Sequence, residues 1–121
     1  MQHTLEVYQD AMLVFHSDGN WLYPLFELER FLTESDTDPN DLVAHDKIVG
    51  RAAALLMIHL GLGHVHARLM SQLGQEVLEH HNVPYTYERR VDRIACQTEQ
   101  LLENVYNPAS AYVLLRERAD L

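Results

Sequence analysis

The chain has 121 residues, 47% of them hydrophobic, and a formal charge of −9 from 18 Asp and Glu against 9 Lys and Arg. That length suits one domain with its own core, and that composition argues against disorder. The acidic balance leaves Arg89, Arg90 and Arg93 as the sole cationic cluster, too small a footprint for a nucleic-acid partner.

The single cysteine, Cys96, excludes an intrachain disulfide and a cysteine-only zinc site. No apolar run nears the roughly 20 residues of a spanning helix, so no membrane partner is expected. The start, Met1-Gln2-His3-Thr4, carries no basic region ahead of an apolar stretch, and the expected location is cytoplasmic. Residues 1–121 are expected to form one domain.

Leu5 and Tyr8 lie three apart, which predicts a short helix over Thr4–Gln9. Met12–His16 predicts a strand. Asp18-Gly19 is a two-residue hairpin signal, with Trp21-Leu22-Tyr23 as the returning strand. Pro24 suits the first turn of a helix whose face is Leu25, Leu28 and Leu32. Thr33–Asp41 is a polar, acidic loop.

Leu42-Val43-Ala44 predicts a short strand. Asp46 is then the expected N-cap of a helix reaching Leu60 and closed by Gly61. Its body, Ala52 to Ile58, is apolar on nearly every side, as in a helix buried by its neighbours. His64–Leu69 predicts a strand, Ser71 caps a helix to about Asn82, and Pro84–Val91 predicts another strand. Thr98–Tyr106 and Pro108–Arg118 close the chain as helices, the latter capped by Asn107. Beyond the hairpin, strands and helices alternate. The predicted class is α/β, with a parallel or mixed sheet covered by helices on both faces.

Ligands of open α/β sheets bind at the carboxyl ends of strands, where helix N-termini present free N–H groups. Two junctions qualify, Ala44-His45-Asp46-Lys47 and Leu69-Met70-Ser71-Gln72. In the predicted helix Lys47 and Arg51 share a face, and Gly50 in its interior costs about 1 kcal/mol relative to Ala. Two explanations stand open: a helix cap with a close crossing and solvated basic residues, or a pocket wall that meets a ligand such as a phosphate.

Eight histidines invite a metal. His64 and His66 share a strand face and His80-His81 are adjacent. None makes a His-Glu-x-x-His pattern or a two-histidine, one-carboxylate arrangement with supporting spacing, so no metal is expected. Neither Gly-x-Ser-x-Gly nor a phosphate-binding glycine loop is present. Cys96 is the one intrinsic nucleophile. It follows Arg93 and precedes a predicted helix start, both of which lower a thiol pKa, although lone cysteines commonly act as small hydrophobes.

Phe15-His16-Ser17-Asp18-Gly19, followed by Tyr23-Pro24-Leu25, resembles the opening of a small bacterial family called domain of unknown function 1893. The block Asp46-Lys47-Ile48-Val49-Gly50-Arg51-Ala52-Ala53-Ala54 resembles its most specific element. The stretch around Met70-Ser71, and Arg93 leading to Cys96 and Glu99, are similar too. The likeness runs to about Glu99, and the last helix lies outside it. It implies a cytidine-deaminase-like fold, three layers with a mixed sheet of about five strands between helices, and no established activity. Family members tend to carry Pro after the cysteine, where this chain has Gln97 and Thr98. The zinc deaminases also need His-x-Glu or Cys-x-Glu at one helix start and Pro-Cys-x-x-Cys at the next. Here the expected starts are His45-Asp46-Lys47 and Met70-Ser71-Gln72, so zinc-dependent deamination is not expected and no cofactor is assigned.

The expected function is a small-molecule binding domain, with a nucleotide-derived ligand suggested by fold analogy. Its candidate ligand-binding residues are Ser17, Asp46, Lys47, Gly50, Arg51 and Ser71. The alternatives are an enzyme with Cys96 as catalytic nucleophile, or an interaction module using the acidic loop Glu34–Asp41. A homodimer is expected through Tyr85, Tyr87 and Trp21.

Overall fold

A computed structural model describes all residues from Met1 to Leu121. The chain opens with β1 (Leu5–Gln9) and β2 (Met12–Ser17), which pair antiparallel as a hairpin. Its turn is Asp10-Ala11, where Asp10 takes a φ of 55°. The predicted helix over Thr4–Gln9 is therefore a strand. Leu5 and Val7 are fully buried, and strand β1 lies between two neighbours, which outweighs the helical spacing of Leu5 and Tyr8. The predicted hairpin at Asp18-Gly19 is also absent. Trp21 and Leu22 instead lead into α1 (Tyr23–Thr33), with Pro24 in its first turn as expected.

β3 (Leu42–Val49) runs five residues beyond the predicted Ala44. α2 (Arg51–Leu60) begins after it, with Gly50 as its N-cap residue and Gly61 in the left-handed conformation at φ 83° as its C-cap. Asp46 is thus a strand residue and not a helix cap, and Gly50 stands at the helix boundary instead of inside it. The reason is alternation: Leu42, Ala44 and Asp46 are buried while His45 and Lys47 face outward more. β4 (His64–Ser71), α3 (Gln72–His80) and β5 (Tyr85–Val91) follow close to expectation. Ser71 caps α3 by accepting from the Gly74 N–H at 3.0 Å. α4 (Gln97–Leu101) is shorter than predicted, and α5 (Pro108–Arg118) is capped by Asn107 as expected.

The sheet order is β2-β1-β3-β4-β5, with β3, β4 and β5 parallel and β1 antiparallel to both neighbours. Right-handed crossovers in this order carry α1, α2 and α3 to one face. α5 packs on α2 and reaches α1, where Arg116 lies 3.5 Å from Glu29 and Tyr112 packs near Phe26. The helices consequently gather on one side, which corrects the expectation of helices on both faces. The other face carries no helix, and its side chains are exposed or half-buried except Glu6, which is buried among them.

Arg51 is fully buried. Its Nε and Nη2 donate to the Val105 carbonyl at 3.1 and 2.9 Å, and its Nη1 donates to the Leu73 carbonyl at 3.1 Å and to Glu76 Oε2 at 3.0 Å. Its guanidinium carbon sits 4.5 Å from the centre of the Tyr106 ring. Replacing Arg51 with Met is expected to cost about 3 kcal/mol or more, because the Leu73 and Val105 carbonyls and Glu76 lose their donors together. Arg51→Lys should recover only part of this, since one ammonium cannot span the three acceptors. Urea unfolding of the three proteins checks both values.

Candidate functional site

The carboxyl ends of β3 and β4 open on a cavity of about 610 Å³. Three segments close it: the approach to α1 at Trp21-Leu22, the start of α2 at Gly50–Ala53, and the stretch from Val91 to Glu99 that follows β5. Ile48, Leu69, Val91 and Ile94 make much of the wall apolar. Beyond Asp46 the pleat of β3 and β4 slips by one residue, with Lys47 and Ile48, then Arg68 and Leu69, left unburied before Val49 and Met70 return to the core. This slip is what leaves Ile48, 51% exposed, free to line a cavity.

Two carboxyl groups give the cavity its character. Asp46 is buried, and its Oδ1 accepts from the Ile48 N–H at 3.4 Å. Burial pushes its pKa up to about 7, against weaker opposing hydrogen bonds from the Ile48 and Lys47 amides. Glu99 is 2% exposed and reaches from α4 to the start of α2, where its Oε2 accepts from the Arg51 N–H at 2.7 Å. Its Oε1 accepts from the Ile94 N–H at 3.5 Å. A helix N-terminus favours an anion. Here that anion is a side chain of the chain itself.

Gly50 makes the arrangement possible. A Cβ at that position would lie 2.7 Å from Glu99 Oε2 and 2.4 Å from Ile94 Cδ1. Trp21 stands at the cavity wall with a φ of 55°, a conformation that bulky residues rarely adopt, and its ring packs edge-on against Tyr23.

Of the residues predicted from sequence, Asp46, Lys47, Gly50 and Cys96 line the cavity. Arg51 does not, because its side chain is committed to the core contacts described above. The predicted pairing of Lys47 and Arg51 on one helix face is also gone, since Lys47 belongs to β3. Ser71 is spent on the α3 cap. Ser17 is buried, and its Oγ accepts from the Gly19 N–H at 3.1 Å, leaving Gly19 at the cavity in its stead. The Cys96 Sγ lies 2.9 Å from Thr98 Oγ1, and Arg93 is paired with Glu103 at 2.8 Å. Sequence reasoning did not single out Trp21, Thr98 or Ile94 as site residues, nor Glu99 as the α2 capping group. Only the Arg93–Glu99 block of the family resemblance pointed to that region.

The elements define a mixed α/β domain with a ligand-sized, acid-lined cavity at the ends of its parallel strands. The chain belongs to the family described as "Domain of unknown function (DUF1893)", whose model matches residues 2–119. A crystal structure of a DUF1893 family protein, TM1506 from Thermotoga maritima, is similar in fold: the TM-score is 0.83 at 20% identity, over 95% of this chain and 80% of that one. No curated protein matches the chain. No helix is long and apolar enough to cross a membrane.

The raised pKa of Asp46 has a signed consequence. An unfolded carboxyl titrates near its ordinary 3.8 and the folded one near 7, so the folded state holds the extra proton between these values. The contribution of Asp46 to stability is therefore complete below about pH 4 and is lost as pH rises toward about 7, where it levels off. Asp46→Asn should remove that decline. Its stability should match that of the wild type near pH 4 and exceed it by roughly 2–4 kcal/mol near pH 8, read from urea unfolding across pH. Glu99→Ala should cost about 2 kcal/mol by freeing the Arg51 and Ile94 amides, and added phosphate should restore part of the loss in that variant alone.

Proposed function

We propose that the chain binds a small, flat, neutral or cationic heterocycle in the cavity, through stacking and hydrogen bonds to carboxyl groups. The observation that carries this reading is Asp46, a buried carboxyl on the wall of an otherwise apolar cavity. With a pKa near 7 it offers a donor or an acceptor at neutral pH. Trp21, held in an unfavourable backbone conformation at the wall, supplies an aromatic surface.

The charge pattern favours a ligand different from the phosphate suggested by the sequence. Glu99 already fills the anion position at the start of α2, and Arg51 is unavailable to any ligand. A neutral or cationic heterocycle, such as a free nucleobase, meets two carboxyls without repulsion. A nucleotide's phosphate would meet both carboxyls with Lys47 as the one cation at the wall not held by a carboxylate, Arg93 being paired with Glu103.

A deaminase-like ancestry is compatible with this reading and supplies no zinc chemistry. The true helix starts, Gly50-Arg51-Ala52 and Ser71-Gln72-Leu73, hold neither the histidine nor the thiolates that a zinc-bound water needs.

A thermal-shift panel of free heterocyclic bases, their nucleosides and their nucleotides provides the test. The expected result is stabilisation by one or more free bases, little by nucleotides, and loss of the shift in Trp21→Ala and in Ala53→Leu, which fills the cavity. Stabilisation confined to nucleotides, or a shift that survives Ala53→Leu, overturns the reading.

A further inference from the structure

We propose that His3, His16 and Asp18 form a binding site for a borderline divalent cation of the Zn2+ class, outside the cavity. Three stretches converge here: the segment before β1, the outer strand β2, and the residue just past its end. One donor atom from each residue lies within 4.8 Å of the other two. His3 Nδ1 is 2.9 and 3.1 Å from the two Asp18 oxygens, and the rings of His3 and His16 stack with centres 4.0 Å apart.

Tetrahedral Zn2+ with bonds of about 2.0–2.2 Å holds its nitrogen and oxygen donors roughly 3.3–3.5 Å apart. The His3–Asp18 pair is closer than that spacing and all three donors lie within 4.8 Å, while the His3 and His16 rings are only 21° from parallel, so closure needs the His16 ring to tilt and the Asp18 carboxylate to draw back. His16 and Asp18 are exposed and free to make these movements, the Asp18 side chain being 67% exposed. Two imidazoles and a carboxylate are a donor set suited to Zn2+ rather than to Mg2+ or Ca2+, which prefer oxygen alone.

The surroundings favour a cation. Glu6, the cross-strand partner of His16, is a buried carboxylate whose Oε2 accepts from the Gln2 N–H at 3.3 Å and whose Oε1 accepts from the Tyr8 hydroxyl at 3.0 Å. The chain as a whole carries −9. Three protein ligands leave a fourth position for water or a small ligand. This site is independent of the cavity reading, sharing no residue with it.

The test uses the full, untagged chain after chelator treatment, titrated with Zn2+ in a calorimeter and with Co2+ as a spectroscopic probe. One equivalent of Zn2+ is expected, with Co2+ giving the intense visible absorption of a tetrahedral site. His3→Ala, His16→Ala and Asp18→Asn should each weaken Zn2+ binding by at least about tenfold. His45→Ala and His66→Ala, on β3 and β4, should bind as the wild type does. Melting each variant without metal verifies that it folds, and Zn2+ should raise the melting temperature of the wild type but not of the three ligand variants. Absence of stoichiometric binding overturns the proposal. So does binding that survives His3→Ala and His16→Ala, or that is lost in His45→Ala.

Discussion

A guanidinium with no access to water holds this fold together. Arg51 stands at the first position of α2, where a cation opposes the helix dipole, and burial adds a large desolvation cost. Both are offset by fixed partners: the Leu73 and Val105 carbonyls, Glu76 and the Tyr106 ring. These partners sit on α3 and on the connection into α5. One side chain thereby ties α3 and the approach to α5 to the start of α2. Because the arginine points into the helical layer, the cavity wall at the same turn is left to Gly50, Ala52 and Ala53.

The cavity inherits its chemistry from that arrangement. With the cation turned inward, the α2 N-terminus is neutralised from the opposite direction by Glu99, which also accepts from the Ile94 amide. This carboxylate ties the long connection after β5 to the helix start, closing the cavity on a side that the strands alone leave open. Gly50 is where the backbone and the carboxylate approach most closely, so a Cβ there would push Glu99 off its amide. Asp46 is the cavity's other buried carboxyl, and its burial, only partly offset by the Ile48 and Lys47 amides, raises its pKa.

The uncovered face of the sheet tells a complementary story. A row of paired positions, His16, Glu6, His45, His66 and Thr86, crosses all five strands. Neighbours along it interact: His66 Nδ1 lies 2.7 Å from Thr86 Oγ1, and the His45 and His66 rings are 5.0 Å apart. Five of the eight histidines, His3, His16, His45, His64 and His66, sit on or beside this row. Their meaning is lateral and not visible along the chain, since strands adjacent in the sheet are distant in sequence.

Local patterns determined a good part of this protein. Pro24, Gly61, Ser71 and Asn107 marked helix ends correctly, because capping and backbone freedom act over a few residues. The apolar body of α2 declared its burial, and the alternation of elements after Leu42 marked β3, α2, β4, α3 and β5. Tertiary structure decided the rest. Leu5 to Gln9 became a strand because two neighbours pair with it, and Asp46 stayed in β3 because pairing with Leu5 and Ala67 extends the strand past a plausible cap. The same pairing removed Lys47 from Arg51. Which way a charged side chain turns at a helix start is set by the acceptors that packing brings within reach. For Arg51 those acceptors are 22 to 54 residues further along the chain.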